Sequence, residues 1–110
     1  MQTPLEMYEA GLAEVADVCV DPWFAEQLRM SRAGDQDAER RICGSCLRLV
    51  LDTVREKCRS ERWERQLDLV QEANWLLVQT LRRFDGSTAR EFVDRLQHRV
   101  TVFVEHPRDL

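Results

Sequence analysis

The stretch Leu67–Phe84, which reads LDLVQEANWLLVQTLRRF, decides the fold class of this chain. Its inner residues recur every three or four positions, the spacing of one face of an α-helix. They are Leu67, Val70, Asn74, Leu77, Leu81 and Phe84. Asp85-Gly86 follows directly and ends the predicted helix. The stretch therefore predicts an amphipathic helix with an apolar inner face and a polar outer face.

The same periodicity extends through nearly all of the chain, and no alternation typical of β-strands is found. Capping boxes formed by Thr3 with Glu6 and by Thr88 with Glu91 mark two helix starts. A third start is predicted at Pro22, with Asp21 as the cap and Gly34 as the end. The predicted helices run from Thr3 to about Cys19, Pro22 to Gly34, Asp35 to Cys58, Leu67 to Phe84 and Thr88 to Glu105, with a charged loop over Arg59–Gln66.

These elements predict an all-α fold, a compact bundle of about five helices with short connections. A length of 110 residues corresponds to one domain. Within this single compact unit, residues 1–33 are predicted to form an N-terminal helical segment packing on the bundle, and residues 34–110 to form the main domain.

Composition excludes several classes of protein. Hydrophobic residues make up 44% and charged residues 33% of the chain, as in a soluble globular protein. No apolar run reaches the ~20 residues of a membrane span, and the N-terminus lacks the pattern of a secretory signal, so we expect a cytoplasmic protein. The net charge of −4 argues against non-specific coating of nucleic acid. Because the sequence contains no phosphate-binding or nucleophile motif, we do not expect an enzyme.

The four cysteines leave two interpretations open. Cys43-Gly44-Ser45-Cys46 has the C-x-x-C spacing of some zinc and redox sites. Zinc normally requires four ligands, and no second close pair is present. Cys46 also lies on the apolar stripe of the Asp35–Cys58 helix, which favours buried core cysteines. We therefore expect no metal or other cofactor, and a cysteine-based zinc or redox sensor is the alternative.

Three pieces of sequence, in order, carry a resemblance to a known family. The stretch Asp68–Asn74, followed by Leu81–Asp85, resembles the D-L-I-Q-E-G-N and R-F-D motifs in region 2 of bacterial sigma-70 family sigma factors. Upstream, Gly34–Ala38 and Leu47–Val50 resemble that family's G-D-x-x-A and L-R-L-V pattern. The resemblance extends from Ala33 to Val104. Over this range the chain is similar to divergent, extracytoplasmic-function-like members of the sigma-70 family. The resemblance implies a helical bundle that acts in transcription initiation.

The resemblance implies that the polar face of the Leu67–Phe84 helix binds RNA polymerase core, at the clamp helices of the β′ subunit. The implied contact residues are Asp68, Gln71, Glu72, Asn74 and Val78, and the adjacent Trp75 and Gln79 are included as candidates. Acidic and amide groups suit a basic, Arg-rich coiled coil. The alternative is a solvated helix face with Trp75 in the core.

The family's second surface melts the promoter −10 element by stacking bases on aromatic side chains. Here the chain departs from the family, since Arg95 stands at the Tyr position and His98 and Arg99 stand at the two Trp positions. The candidate DNA-binding residues are Arg90, Arg95, His98 and Arg99. The alternative is a plain amphipathic core helix without contact to promoter DNA.

Two further expectations concern the biological role. Promoter-binding sigma factors carry a second, helix-turn-helix domain that reads the −35 element, and no sequence for it follows Leu110. The chain would therefore be either a domain of a longer protein or a region 2 on its own. A sigma-like regulatory or interaction protein without promoter recognition is the alternative function, and an anti-sigma-type regulator is a further candidate partner.

Overall fold

The computed structural model describes residues 1–12 and 19–106, and within these ranges the chain forms six α-helices and no β-strand. The helices are α1 (Pro4–Leu12), α2 (Trp23–Arg32), α3 (Gln36–Ser45), α4 (Leu47–Lys57), α5 (Trp63–Arg82) and α6 (Ala89–Glu105). The all-α prediction is confirmed. No helix in the described part of the chain has the length and apolar character needed to cross a membrane. The predicted continuation of the first helix over residues 13–18 lies outside the described residues.

Local hydrogen bonds fix the starts of α1 and α6 as the sequence predicts. The Glu6 amide donates to Thr3 Oγ1 over 3.1 Å, and the Glu91 amide donates to Thr88 Oγ1 over 3.2 Å. Such caps satisfy amides that have no partner inside the helix. Both predicted capping boxes are present because their partners lie only three residues apart.

The predicted role of Asp21 as the cap of α2 is wrong. The start of α2 has no side-chain cap, and Asp21 Oδ2 instead accepts a hydrogen bond from the Ala89 amide at 2.9 Å. Asp21 therefore satisfies an amide at the start of α6, distant in sequence. The predicted end of α2 at Gly34 agrees with the structure, where Gly34 takes a φ of +102° that favours glycine.

The predicted single helix from Asp35 to Cys58 is two helices, α3 and α4, divided at Cys46. At the junction Ser45 Oγ donates to the carbonyl of Ile42 over 2.6 Å. A serine hydroxyl that binds a nearby carbonyl tends to bend a helix, and Gly44 further weakens this turn. The division lets α3 pack on α2 while α4 packs on α5 and α6.

The predicted loop over Arg59–Gln66 is shorter in the structure, because α5 begins at Trp63. Trp63 and Leu67 are partly buried against the core and extend the apolar face of α5 by one turn. Gln66 Nε2 donates to the carbonyl of Cys58 over 2.7 Å and holds the connection against the helix. At its other end, α5 stops at Arg82, and Phe84 enters the core from the following turn.

The central layer consists of α4, α5 and α6, which pack against one another. The pair α2 and α3 closes one end through a cluster of three aromatic rings. Phe24 stacks on Phe92 with ring centroids 5.3 Å apart, and Phe84 meets Phe92 edge-on, also at 5.3 Å. Such ring pairs stabilise a core beyond their buried area.

The helix α1 lies across α4 and α5. Leu5 and Leu12 are its buried residues. A salt bridge joins Glu9 to Arg55 of α4, and Asn74 Nδ2 of α5 donates to the Tyr8 hydroxyl over 3.0 Å. The N-terminal helix therefore covers one side of α5 and leaves the opposite side exposed.

Candidate functional site

The exposed side of α5 presents a line of polar residues around one tryptophan. Their spacing of three or four positions places them along one helix face. They are Asp68, Gln71, Glu72, Trp75 and Gln79. Within the described residues, none of these side chains makes a hydrogen bond or ion pair, so their polar groups are available to a partner.

Trp75 is the distinctive residue of this face. Its side chain is 59% exposed, whereas the inner residues Leu77 and Val70 are buried. The alternative that Trp75 belongs to the core is therefore wrong. A large exposed aromatic side chain is the residue type that most often contributes strongly to binding at protein interfaces.

A groove of about 800 Å³ lies between this face and α6. Leu76 and Phe103, both nearly buried, form its apolar floor. Its remaining lining residues are Asp68, Gln71, Glu72, Trp75, Gln79, Arg83 and Arg99. The groove thus has an apolar floor and one aromatic wall. Carboxylates line it along the first half of α5, and guanidinium groups line it near the end of α5.

Asn74 and Val78, which the resemblance implies as polymerase contacts, do not line this groove. Both are half-buried, and Asn74 lies under α1, where its amide nitrogen contacts Tyr8. The Asn74 Oδ1 atom is buried and has no hydrogen-bond partner among the described residues. Asn74 therefore contributes to the packing of α1 on α5 rather than to the exposed groove.

The four candidate DNA-binding residues do not form one surface. Arg95 donates to Asp85 Oδ1 over 3.0 Å and lies over the Phe84 ring, 5.3 Å from its centroid. This hydrogen bond from Arg95 lowers the pKa of Asp85. Arg99 donates to the Thr80 hydroxyl over 3.0 Å and lines the α5–α6 groove. These two arginines therefore lie on the α5 side of α6.

Arg90 and His98 lie on another side of α6. Arg90 Nε is 4.0 Å from Asp94 Oδ2, and both side chains are highly exposed. His98 lines a second, polar groove between α4 and α6, together with Lys57 and Asp94. Arg99 and His98 thus line two different grooves, and Arg90 and Arg95 each lie beside a carboxylate.

The cysteines are free thiols in the structure. Cys46 is 1% exposed and lies in the core, as its place on the apolar stripe predicts. Cys43 is half-buried, and burial raises its pKa to about 11. No three His, Cys, Asp or Glu side chains come together in a metal-binding group within residues 1–12 and 19–106.

Sequence reasoning missed part of the groove. Arg83 belongs to the R-F-D motif and Phe103 is a buried residue of α6, and the sequence does not indicate that either lines a groove. Arg99 was assigned to DNA and not to the wall facing α5. The packing of α6 against α5 brings these residues together. The periodicity of each helix predicts which residues face inward, but it does not predict which residues of two helices lie opposite each other.

Comparison with known proteins returns no match, since no family model, no curated protein and no solved structure matches this chain. The motif resemblance and the geometry of the α5 face are therefore the two grounds on which a function is proposed.

Proposed function

We propose that this protein is a sigma-70 region 2-like transcription domain that binds RNA polymerase core at the β′ clamp helices through the exposed face of α5. The observation that carries the proposal is the accessibility of this face. Three of the five residues carried over from the motif, Asp68, Gln71 and Glu72, line one groove together with the adjacent Trp75 and Gln79, and none of these side chains has a polar partner among the described residues. We propose that the protein acts by binding a partner and not by catalysis. Because its proposed partner is RNA polymerase, its proposed location is the cytoplasm.

The chemistry of the face suits a basic coiled coil. Asp68 and Glu72 offer carboxylates, and Gln71 and Gln79 offer amide groups, to the guanidinium groups of an Arg-rich partner. Charge-assisted hydrogen bonds of this kind are about twice as strong as neutral ones. Trp75 supplies apolar contact area at the centre of the same line.

Gln71→Ala combined with Glu72→Ala tests this interface. We expect the affinity for purified RNA polymerase core to fall by about tenfold or more, which corresponds to ~1.4 kcal/mol. Glu56→Ala combined with Gln97→Ala makes the same chemical change on the exposed α4–α6 side and should leave the affinity unchanged. Equal affinities for the two double variants, with helical content intact, would show that the α5 face is not the binding surface.

The division of the basic residues on α6 favours a second candidate function. Base melting requires phosphate contacts and stacking side chains on one continuous surface. Here Arg95 and Arg99 face α5 and Arg90 and His98 face elsewhere. This arrangement supports a sigma-like interaction protein that binds the polymerase or an anti-sigma-type regulator without recognising promoter DNA.

A further inference from the structure

The charges along the exposed face of α5 change sign from one end of the face to the other. Asp68 and Glu72 place carboxylates along its first half, and Arg83 places a guanidinium group directly after the helix. All three side chains are exposed, and none forms an ion pair within the described residues. From Asp68 to Arg83 the face is about 22 Å long, at a rise of ~1.5 Å per residue. Its two ends therefore offer opposite charges to another molecule.

Arg99 of α6 adds a second positive charge at the basic end of the groove. Its side chain is half-buried and donates to the Thr80 hydroxyl over 3.0 Å. Thr80 in turn donates to the carbonyl of Leu76 over 2.7 Å, so a neutral partner holds the guanidinium group beside the last turn of α5. A half-buried charge is screened less than an exposed one, and its hydrogen bonds to a carboxylate are correspondingly strong. Arg99 is thus positioned for an acidic group of a second molecule.

The order of charges on this face is self-complementary under a two-fold rotation. When two copies of α5 lie antiparallel with the axis between Trp75 and Leu76, position 68 of each copy lies opposite position 83 of the other. Both positions are about 11 Å from the axis along the helix. Asp68 of one copy therefore meets Arg83 of the second copy, and the same pair forms again on the other side of the axis. Such repeated, identical contacts are typical of a symmetric dimer.

The remaining groove residues agree with the same register. Glu72 of one copy lies opposite the last turn of α5 in the second copy, where Arg99 is held, so a further charged pair forms at each end. Trp75 of each copy lies opposite Leu76, which is part of the apolar groove floor of the other copy. The dimer would thus cover an indole that is 59% exposed in the single chain, and burial of apolar area is favourable.

We propose that a second copy of this chain occupies the groove between α5 and α6, in a symmetric dimer whose two α5 helices are antiparallel. A second copy matches the groove at both ends and at its centre in one register, and this agreement is the argument for this occupant. The proposal does not depend on polymerase binding, and its test uses the chain alone. Because the proposed polymerase surface is the same face, the dimer would hide that face from the polymerase.

Two charge reversals test the dimer by sedimentation equilibrium. Asp68→Arg brings two positive groups together across the interface, and Arg83→Asp brings two negative groups together. Each variant alone should therefore dimerise about tenfold or more weakly than the wild type, because like charges in contact are unfavourable. In an equimolar mixture of the two variants, every contact between positions 68 and 83 joins opposite charges. We expect the mixed dimer to form with about the affinity of the wild-type dimer.

The control for the charge reversals is Arg90→Asp, an exposed position of α6 that does not line the groove. It should leave dimerisation unchanged, and circular dichroism checks that every variant is folded. Wild-type protein that stays monomeric up to about 1 mM would overturn the proposal. So would a failure of the two mixed variants to recover the dimer, or a dimer that only Arg90→Asp weakens.

A further variant tests the position of the axis without changing any charge. Trp75→Ala removes the apolar contact at the centre of the interface and should weaken dimerisation about tenfold or more, as for a central aromatic residue. Met7→Ala is the matched control, because Met7 is a large apolar residue that is 61% exposed on α1, outside the groove. Equal dimer affinities of these two variants would contradict the proposed interface.

Discussion

At the scale of single residues, Gly86 shows how the absence of a side chain shapes the connection between α5 and α6. A Cβ atom at this position would lie 2.6 Å from Cζ of Phe84 and 2.8 Å from a carboxylate oxygen of Glu91. Arg32 donates to the carbonyls of both Phe84 and Gly86 over 2.9 Å, which fixes the same turn from the α2 side. The turn therefore has no room to shift away from an added methyl group.

Gly86→Ala should lower the free energy of unfolding by ~1–3 kcal/mol, because overpacking forces the Phe84 ring and its neighbours out of place. Denaturation in urea measures the change. Gly11→Ala is the control, since nothing lies within 4 Å of its added Cβ. Alanine is favoured over glycine inside a helix, so the control should be neutral or stabilised by up to ~1 kcal/mol. Similar stability of the two variants would contradict the packing described for the turn.

We expect Cys43 and Cys46 to stabilise the fold by packing in or against the core and not by binding a metal. Replacing both with Ala should leave a folded helical protein, destabilised by ~1–2 kcal/mol per buried site. Circular dichroism and urea denaturation measure the outcome, and metal analysis of the wild type accompanies them. Stoichiometric zinc that is lost together with the fold in the variant would contradict this prediction.

At the scale of the elements, the two faces of α5 differ in burial, since one lies in the core and the other is exposed. Leu77→Ala removes a side chain that is only 1% exposed and should destabilise the protein by ~2–5 kcal/mol. Gln71→Ala with Glu72→Ala changes exposed residues and should alter stability by no more than ~0.5 kcal/mol. Thermal or urea unfolding of both variants checks the difference. Equal destabilisation would show that the outer face also supports the fold.

The elements also show how far the sequence predicts the structure. The starts of α1 and α6 are predictable because Thr3 and Thr88 bind amides three residues away. The binding of Asp21 to α6 is not, because it depends on packing between distant segments. The break at Cys46 has local causes in Gly44 and Ser45, but neither residue type alone requires a helix to end. The candidate site is also predictable only in part. The motif indicates the outer face of α5, but the sequence contains no sign that α1 covers Asn74.

At the scale of the whole molecule, the net charge of −4 and the dispersed basic residues of α6 argue against tight binding to nucleic acid. We expect weak binding to single-stranded −10-like DNA, with similar affinity for a scrambled sequence. Because phosphate contacts dominate such binding, both affinities should fall steeply as salt increases. A fluorescence titration at low and moderate salt measures this. Clearly tighter, salt-resistant binding of the −10 sequence would show that α6 reads bases.

The Asn74 Oδ1 atom, which has no hydrogen-bond partner among the described residues, has a consequence for local opening of the molecule. A buried acceptor without a donor costs ~1–3 kcal/mol, and water removes this cost as soon as α1 separates from α5. Detachment of α1 should therefore require less free energy than global unfolding, so that its backbone amides exchange with deuterium earlier than those at the centre of α5. In the Tyr8→Phe background, where the hydrogen bond between Asn74 and Tyr8 is already absent, Asn74→Leu removes the oxygen and should slow exchange in α1. We therefore expect α1 to separate before the other helices of the described bundle, and each such opening would expose the covered side of α5 to solvent.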